Sequence, residues 1–314
     1  MHELLITVLI LLGIAAVVSV TAAFLLFLFA CERKASTEYK TEEDLIGTPY
    51  EQFAREILAG RREFLSLPWE EVQTEAFDGI KLYGRYIKAE QPKGTILMMH
   101  GFRSSGEFDF SCIVRSLYQS GWSLLVPDQR AHGNSEGKYI TFGVRERRDV
   151  KTWVEWIGTN RPDPNGIVLD GISMGASTVM MAAALGLPDC VKGIVADCGF
   201  TSPAEIMRHF LIDGFHIPAF PVFHIASLFC RMIGGFSVNG ADSAEALRNW
   251  KKPILFIHGK SDTLVPFEMS LVNEEVCPSE NKKLVAIDTA GHGLSYLTET
   301  EKVGKELDRF LNQL

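Results

Sequence analysis

The chain has 314 residues, 46% of them hydrophobic and 22% charged, with a formal net charge of −8, a length that suits one large α/β domain or two small ones. Residues 1–34 hold two acids and two bases, so the rest keeps the whole −8, and an acidic body of this kind is a poor nucleic-acid binder. The eight histidines and six cysteines form neither HExxH nor any Cys/His pair at zinc spacing, which leaves a metal site without support.

Residues 4–30 carry no charge and are rich in Leu, Ile, Val and Phe, long enough as a helix to cross the roughly 30 Å hydrocarbon core of a bilayer. A cleaved signal wants a basic flank and an apolar run of about 7–15 residues. Here His2 and Glu3 precede a longer run. A lipoprotein signal ending at Cys31 would place the bulky Phe29 in a poor position. Residues 1–34 therefore read as a single-pass transmembrane anchor, retained at the cell membrane. Arg33 and Lys34 follow the span while no Lys or Arg precedes it, which points to a cytoplasmic catalytic part. The cysteines have no CxxC spacing, in keeping with a reducing compartment.

Residues 35–68 read as a juxtamembrane linker and leading helix, with Phe53, Ile57 and Phe64 at roughly helical spacing. Strand-like runs at 72–77 and 80–89 are joined through Asp78-Gly79, a dipeptide favoured in tight hairpins. Short continuous apolar runs follow at 95–99, 123–126, 167–169, 193–196, 254–257 and 284–287, separated by helical segments. One of these carries the stripe Val150, Trp153, Val154 and Ile157. Strands apolar on both faces imply a mostly parallel sheet covered by helices on each side, forming one domain over 69–314. The stretch 201–250 is too long for a plain crossover. Phe210, Phe215, Phe220, Phe223, Phe229 and Phe236 make it an apolar lid, and its prolines and histidines argue against a second membrane span.

Gly171-Ile172-Ser173-Met174-Gly175 sits between a buried strand and a helix-prone run at 176–185. The pentapeptide alone also arises by chance, but a GxSxG in this setting is a nucleophile elbow. The strand must reverse into a helix within a few residues, which strains the serine backbone and brings its flanks too close for a Cβ. A serine hydroxyl needs a general base, and that base needs an orienting carboxylate. His292, in the glycine-flanked loop Ala290-Gly291-His292-Gly293, is the candidate base. Asp262 is the leading acid because it follows a strand in His258-Gly259-Lys260-Ser261-Asp262, at the carboxyl end where sites in such sheets assemble. Asp197 and Asp288 compete with it. The oxyanion would be met by the amides of Met174 and Phe102, with His100 a structural neighbour rather than a second base.

Together HGF at 100–102, DQRAHGNSEG at 128–137, GISMG at 171–175, ADCGF at 196–200, HGKSD at 258–262 and AGH at 290–292 resemble the α/β-hydrolase superfamily. The resemblance runs over about residues 70–314, and within the superfamily it is to membrane-anchored bacterial hydrolases related to the prolyl-oligopeptidase and serine-aminopeptidase branches. It implies an α/β-hydrolase fold, a serine nucleophile with a His–Asp pair, and no cofactor. Asp128, Arg130, His132, Gly133 and Ser135 match a family loop near the site but outside the chemistry. Ala131 departs from it, since many relatives carry glycine there. The expected activity is cleavage of a small-molecule ester or similar acyl bond, with peptide or amide cleavage on the same residues as the alternative. A membrane-bound binding protein that has lost turnover is the reading from another class.

Overall fold

The computed structural model describes every residue except 36–38, a small part of the expected linker. Eight strands form one sheet: β1 (Glu70–Glu75), β2 (Lys81–Ile87), β3 (Thr95–Met99), β4 (Ser123–Pro127), β5 (Ile167–Ile172), β6 (Val191–Asp197), β7 (Ile254–Gly259) and β8 (Lys282–Ile287). Their spatial order is β1-β2-β4-β3-β5-β6-β7-β8. β2 pairs antiparallel with β1 and with β4, and every later pairing is parallel. The expected hairpin is present, with Gly79 at φ 83 making the turn. β1 begins and ends two residues earlier than the sequence pattern suggests, because residues 76–79 are used by that turn. β8 is an edge strand and shows part of one side to solvent.

Apolar clusters pack on both sides of the sheet. On one side lies the helix Glu146–Asn160, whose Val150, Trp153, Val154 and Ile157 are each no more than 1% exposed. Burial of such a side chain stabilises the fold by roughly 1.5–3 kcal/mol. The opposite side takes the helices Val114–Gln119 and Thr300–Leu311, the second contributing Val303, Leu307, Phe310 and Leu311.

A third cluster lies over the carboxyl ends of the strands. It is built from the β6–β7 connection, which holds the helices Pro203–His209, Ala219–Met232 and Ser243–Leu247. The N-terminal helix His2–Cys31 joins the same cluster through Ala23, Phe27, Ala30 and Cys31 and packs along Ala219–Met232. Read from the sequence, this helix is a tether followed by a linker; its last turns are in fact a structural wall of the cap. Arg33 fastens the exit of the helix, donating to the Ser135 carbonyl at 2.7 Å and the Gly133 carbonyl at 2.6 Å. The Ile140 amide bonds the Cys31 carbonyl at 2.7 Å.

Candidate active site

Ser173 stands between β5 and the helix Met174–Ala182 with φ 56 and ψ −118, a conformation that L residues rarely adopt. The two motif glycines are required by close approach. A Cβ on Gly171 would lie 2.4 Å from Gly175 backbone, and one on Gly175 would lie 1.8 Å from the Met99 carbonyl oxygen. The Ser173 amide is fixed by the Asp197 carbonyl at 2.8 Å.

The structure brings Ser173, His292 and Asp262 together. Ser173 Oγ is 2.8 Å from His292 Nε2, and His292 Nδ1 is 2.7 Å from Asp262 Oδ2. The competing acids sit elsewhere. Asp288 is exposed and paired with Lys260 at 2.8 Å, while Asp197 is buried below and reached by Ser295 Oγ at 3.4 Å. Asp262 also accepts the amides of Leu264 at 2.8 Å and Val265 at 2.9 Å on its other oxygen. Burial opposes the charge of Asp262. The hydrogen bonds from His258 and His292, with the His292 charge and the Val265 amide, outweigh that opposition and hold the carboxyl well below the usual carboxylate range.

Nothing in the sequence marks His258 as more than part of a motif. It lies near the end of β7, fully buried, with Nε2 3.1 Å from Asp262 Oδ2 and 3.0 Å from the Val265 carbonyl, and Nδ1 2.6 Å from Ser270 Oγ. A carbonyl only accepts, so Nε2 carries the proton and the Ser270 hydroxyl donates to Nδ1. Asp262 is thus clamped between two imidazoles, and a second histidine fixes the carboxylate that would orient the first.

Phe102 and Met174 both line the cavity at Ser173. Met174 opens its helix, so its amide has no intrahelical acceptor. Among the described residues neither amide is engaged by a protein acceptor. The loop around Phe102 is braced on each side. The Gly101 amide donates to Asp109 Oδ2 at 2.6 Å, the Ser104 hydroxyl donates to Asp109 Oδ1 at 2.5 Å, and the Arg103 amide donates to His132 Nε2 at 2.9 Å. His132 donates from Nδ1 to the Arg130 carbonyl at 2.9 Å, and burial lowers its pKa to about 3, so it stays a neutral acceptor. His100 accepts the Gln129 amide at 3.0 Å and is fully buried, a structural residue as expected. Neither Asp109 nor the Arg103–His132 bond has a sequence signal of its own.

The family loop behaves as scaffolding. Arg130 makes a two-pronged pair with Asp149, both bonds 2.6 Å, and reaches Asp78 at 2.9 Å. Ser135 donates to the Asp128 carbonyl at 2.6 Å and accepts the Tyr83 amide at 2.8 Å. Ala131 has φ 61, the left-handed region that glycine enters freely, so the departure from glycine leaves a strained alanine.

The cavity measures about 190 Å³. Phe142, Phe200, Ile206, Phe210, Leu264 and Val265 form its apolar wall, and Tyr50, from the segment ahead of the first long body helix, also reaches it. Cys198, Asp262 and His292 place ligand atoms within 4.8 Å of one another. Both His292 nitrogens are already engaged, however, and burial pushes the Cys198 thiol up, so the set offers protons rather than a thiolate and fits a metal poorly.

Residues 94–219 match the α/β-hydrolase fold family. The esterase Pf2001 of Pyrococcus furiosus superposes with a TM-score of 0.63 at 26% identity, over 80% of this chain and 93% of that one. The chain has the α/β-hydrolase fold. This hydrolase is also 26% identical over 283 residues to protein YqkD of Bacillus subtilis, covering 88% of each chain. It is 26% identical over 231 residues to the membrane protein YNL320W of Saccharomyces cerevisiae, covering 72% of this chain and 74% of that protein.

Proposed function

We propose that this hydrolase is a serine esterase that works through an acyl-enzyme, with Ser173 as nucleophile, His292 as base and Asp262 as orienting acid. The observation that carries the reading is the continuous chain Ser173 Oγ, His292, Asp262 at 2.8 and 2.7 Å. Ser173 attacks the carbonyl carbon while its proton passes to His292 Nε2, and the new oxyanion is met by the amides of Phe102 and Met174. The tetrahedral species collapses as His292 returns the proton to the leaving alcohol. Water, activated by the same imidazole, then releases the acid. The apolar cavity wall and the likeness to an archaeal esterase support an ester over a peptide.

Residues 1–34 serve as a single-pass anchor in this reading, followed by the linker to residue 68 and the catalytic domain of 69–314, with 201–250 as its cap. The catalytic domain is cytoplasmic, by the basic residues after the span. Retention of the helix, against lipidation at Cys31, is supported by the burial of that residue inside the last turn, its Sγ 3.9 Å from Cys230 Sγ. A fluorophosphonate probe should label the wild type and leave Ser173→Ala unlabelled. Persistent labelling of Ser173→Ala overturns the assignment, and faster turnover of aminoacyl anilides than of p-nitrophenyl esters replaces esterase by peptidase.

A further inference from the structure

The N-terminal helix is 30 residues long, about 45 Å at 1.5 Å per residue, which matches a whole bilayer of about 40–45 Å with its headgroups included. Its first half is exposed throughout, while Ala23, Phe27, Ala30 and Cys31 are buried against the cap. If Leu4 begins the hydrocarbon core, roughly 20 residues exhaust it. The turns that hold the cap then fall at the headgroup boundary. The cap is pinned to those turns by Phe24 against Phe229 at 5.3 Å, Phe29 against Phe215 at 5.8 Å and Cys31 beside Cys230.

At that depth the cap helix presents large apolar side chains with no protein over them. Leu228 and Met232, one turn apart, share a face and are 52% and 70% exposed, and Phe220, in the non-helical first turn, is 77% exposed. Ile212, Phe215 and Ile233, in or just after the same connection's helices, are exposed as well. In water such a patch is a liability for a monomer. Beside a bilayer it is what an interfacial helix uses, with the exposed Arg231 and Lys34 available to phosphate headgroups. Phe210, two residues before Ile212, lines the cavity at Ser173, so outer surface and acyl wall belong to one short segment.

We infer that the outer face of the cap lies in the headgroup–acyl boundary of the leaflet into which the N-terminal helix inserts, and that the hydrolase draws a long-chain acyl ester from that leaflet. This rests on the serine-esterase reading above. A lipid surface is favoured over a second copy of the chain because the patch is continuous with a helix that itself requires lipid.

The test uses the full chain in phosphatidylcholine–phosphatidylglycerol vesicles, comparing wild type with the triple variant Phe220→Ser, Leu228→Ser, Met232→Ser. Hydrolysis of vesicle-borne 4-methylumbelliferyl palmitate should fall at least 10-fold, while that of the soluble butyrate stays within twofold. An undiminished palmitate rate, or an equal fall on both esters, overturns the inference. Ser173→Ala should lose both activities, and if it keeps them the esterase reading has failed instead. Phe220→Trp supplies a readout independent of turnover. Its added fluorescence over wild type should be quenched by brominated-acyl phosphatidylcholine, and absence of quenching, with or without dimer formation, overturns the membrane seat.

Discussion

Below Ser173, position is set by directed bonds: Asp262 takes hydrogen bonds from two histidines and two backbone amides, and the loop of Phe102 is tied through Asp109 and His132. Above it, the cap and the N-terminal helix meet mainly through rings, small residues and a thiol pair, with one face left bare. Directed bonds fix an atom to a few tenths of an ångström and fail abruptly when a partner is lost. Apolar contact is indifferent to direction and loses strength gradually with area. The lower half is therefore where single substitutions should abolish turnover, and the upper half is where they should change which substrates arrive.

The sharpest way to break this contrast is Asp262→Asn. The amide keeps the shape, but with its oxygen held by the Leu264 and Val265 amides its NH2 faces both histidines and accepts from neither, which turns His292 to the wrong tautomer. We expect kcat to fall by roughly 10³–10⁴-fold with the fold retained; a fall under tenfold would put the orienting acid elsewhere. His258→Ala is gentler, because the clamp is removed and the carboxylate remains. The expected result is a loss of about tenfold in kcat with KM unchanged and an altered pH–rate profile, where a merely structural role would lower the amount of folded enzyme alone.

Asp170 shows where the polar floor is poorly satisfied. Burial, then the charge of Asp197, raises its pKa to about 7, above the roughly 3.9 of an unfolded chain. The folded state then holds the proton more tightly, so stability falls as pH rises from about 4 to about 7 and is level beyond. Asp170→Asn should match wild type in thermal melts at pH 4 and melt several degrees higher at pH 8. Equal melting temperatures at both pH values would mean that the carboxyl is not strained. The smallest expected effect is Ala131→Gly, which relieves a left-handed alanine and should stabilise by about 0.5–1 kcal/mol in chemical unfolding, with activity unaltered.

The sequence carried the sheet well, because strands covered on both faces must be continuously apolar, and the elbow because close backbone approach at 171 and 175 excludes any side chain. Chain order could not separate Asp262 from Asp288, since both follow strands and precede the histidine, and Asp262 led only by its place after a strand at the carboxyl end of the sheet. Only the path of the chain puts Asp262 behind the imidazole and leaves Asp288 in solvent beside Lys260. His258 and Asp109 act through partners distant in space or defined by loop shape, so no local pattern marks them. The docking of the N-terminal helix was equally hidden. A segment apolar all round has no face that distinguishes lipid from protein, and Ala23, Phe27 and Ala30 read the same whether they meet acyl chains or a cap.

Arg103 follows Phe102 directly, and its guanidinium donates to the carbonyls of Phe29 and Glu32 at the end of the N-terminal helix. One residue thus grips the last peptide groups of that helix with its side chain while its backbone belongs to the loop that would receive the oxyanion. Clipping off the first 34 residues to obtain a convenient soluble protein would strip that grip and the ring of Phe29 beneath it. Kinetics measured on such a fragment would describe a loosened enzyme, and a poor rate there would say little about the intact one.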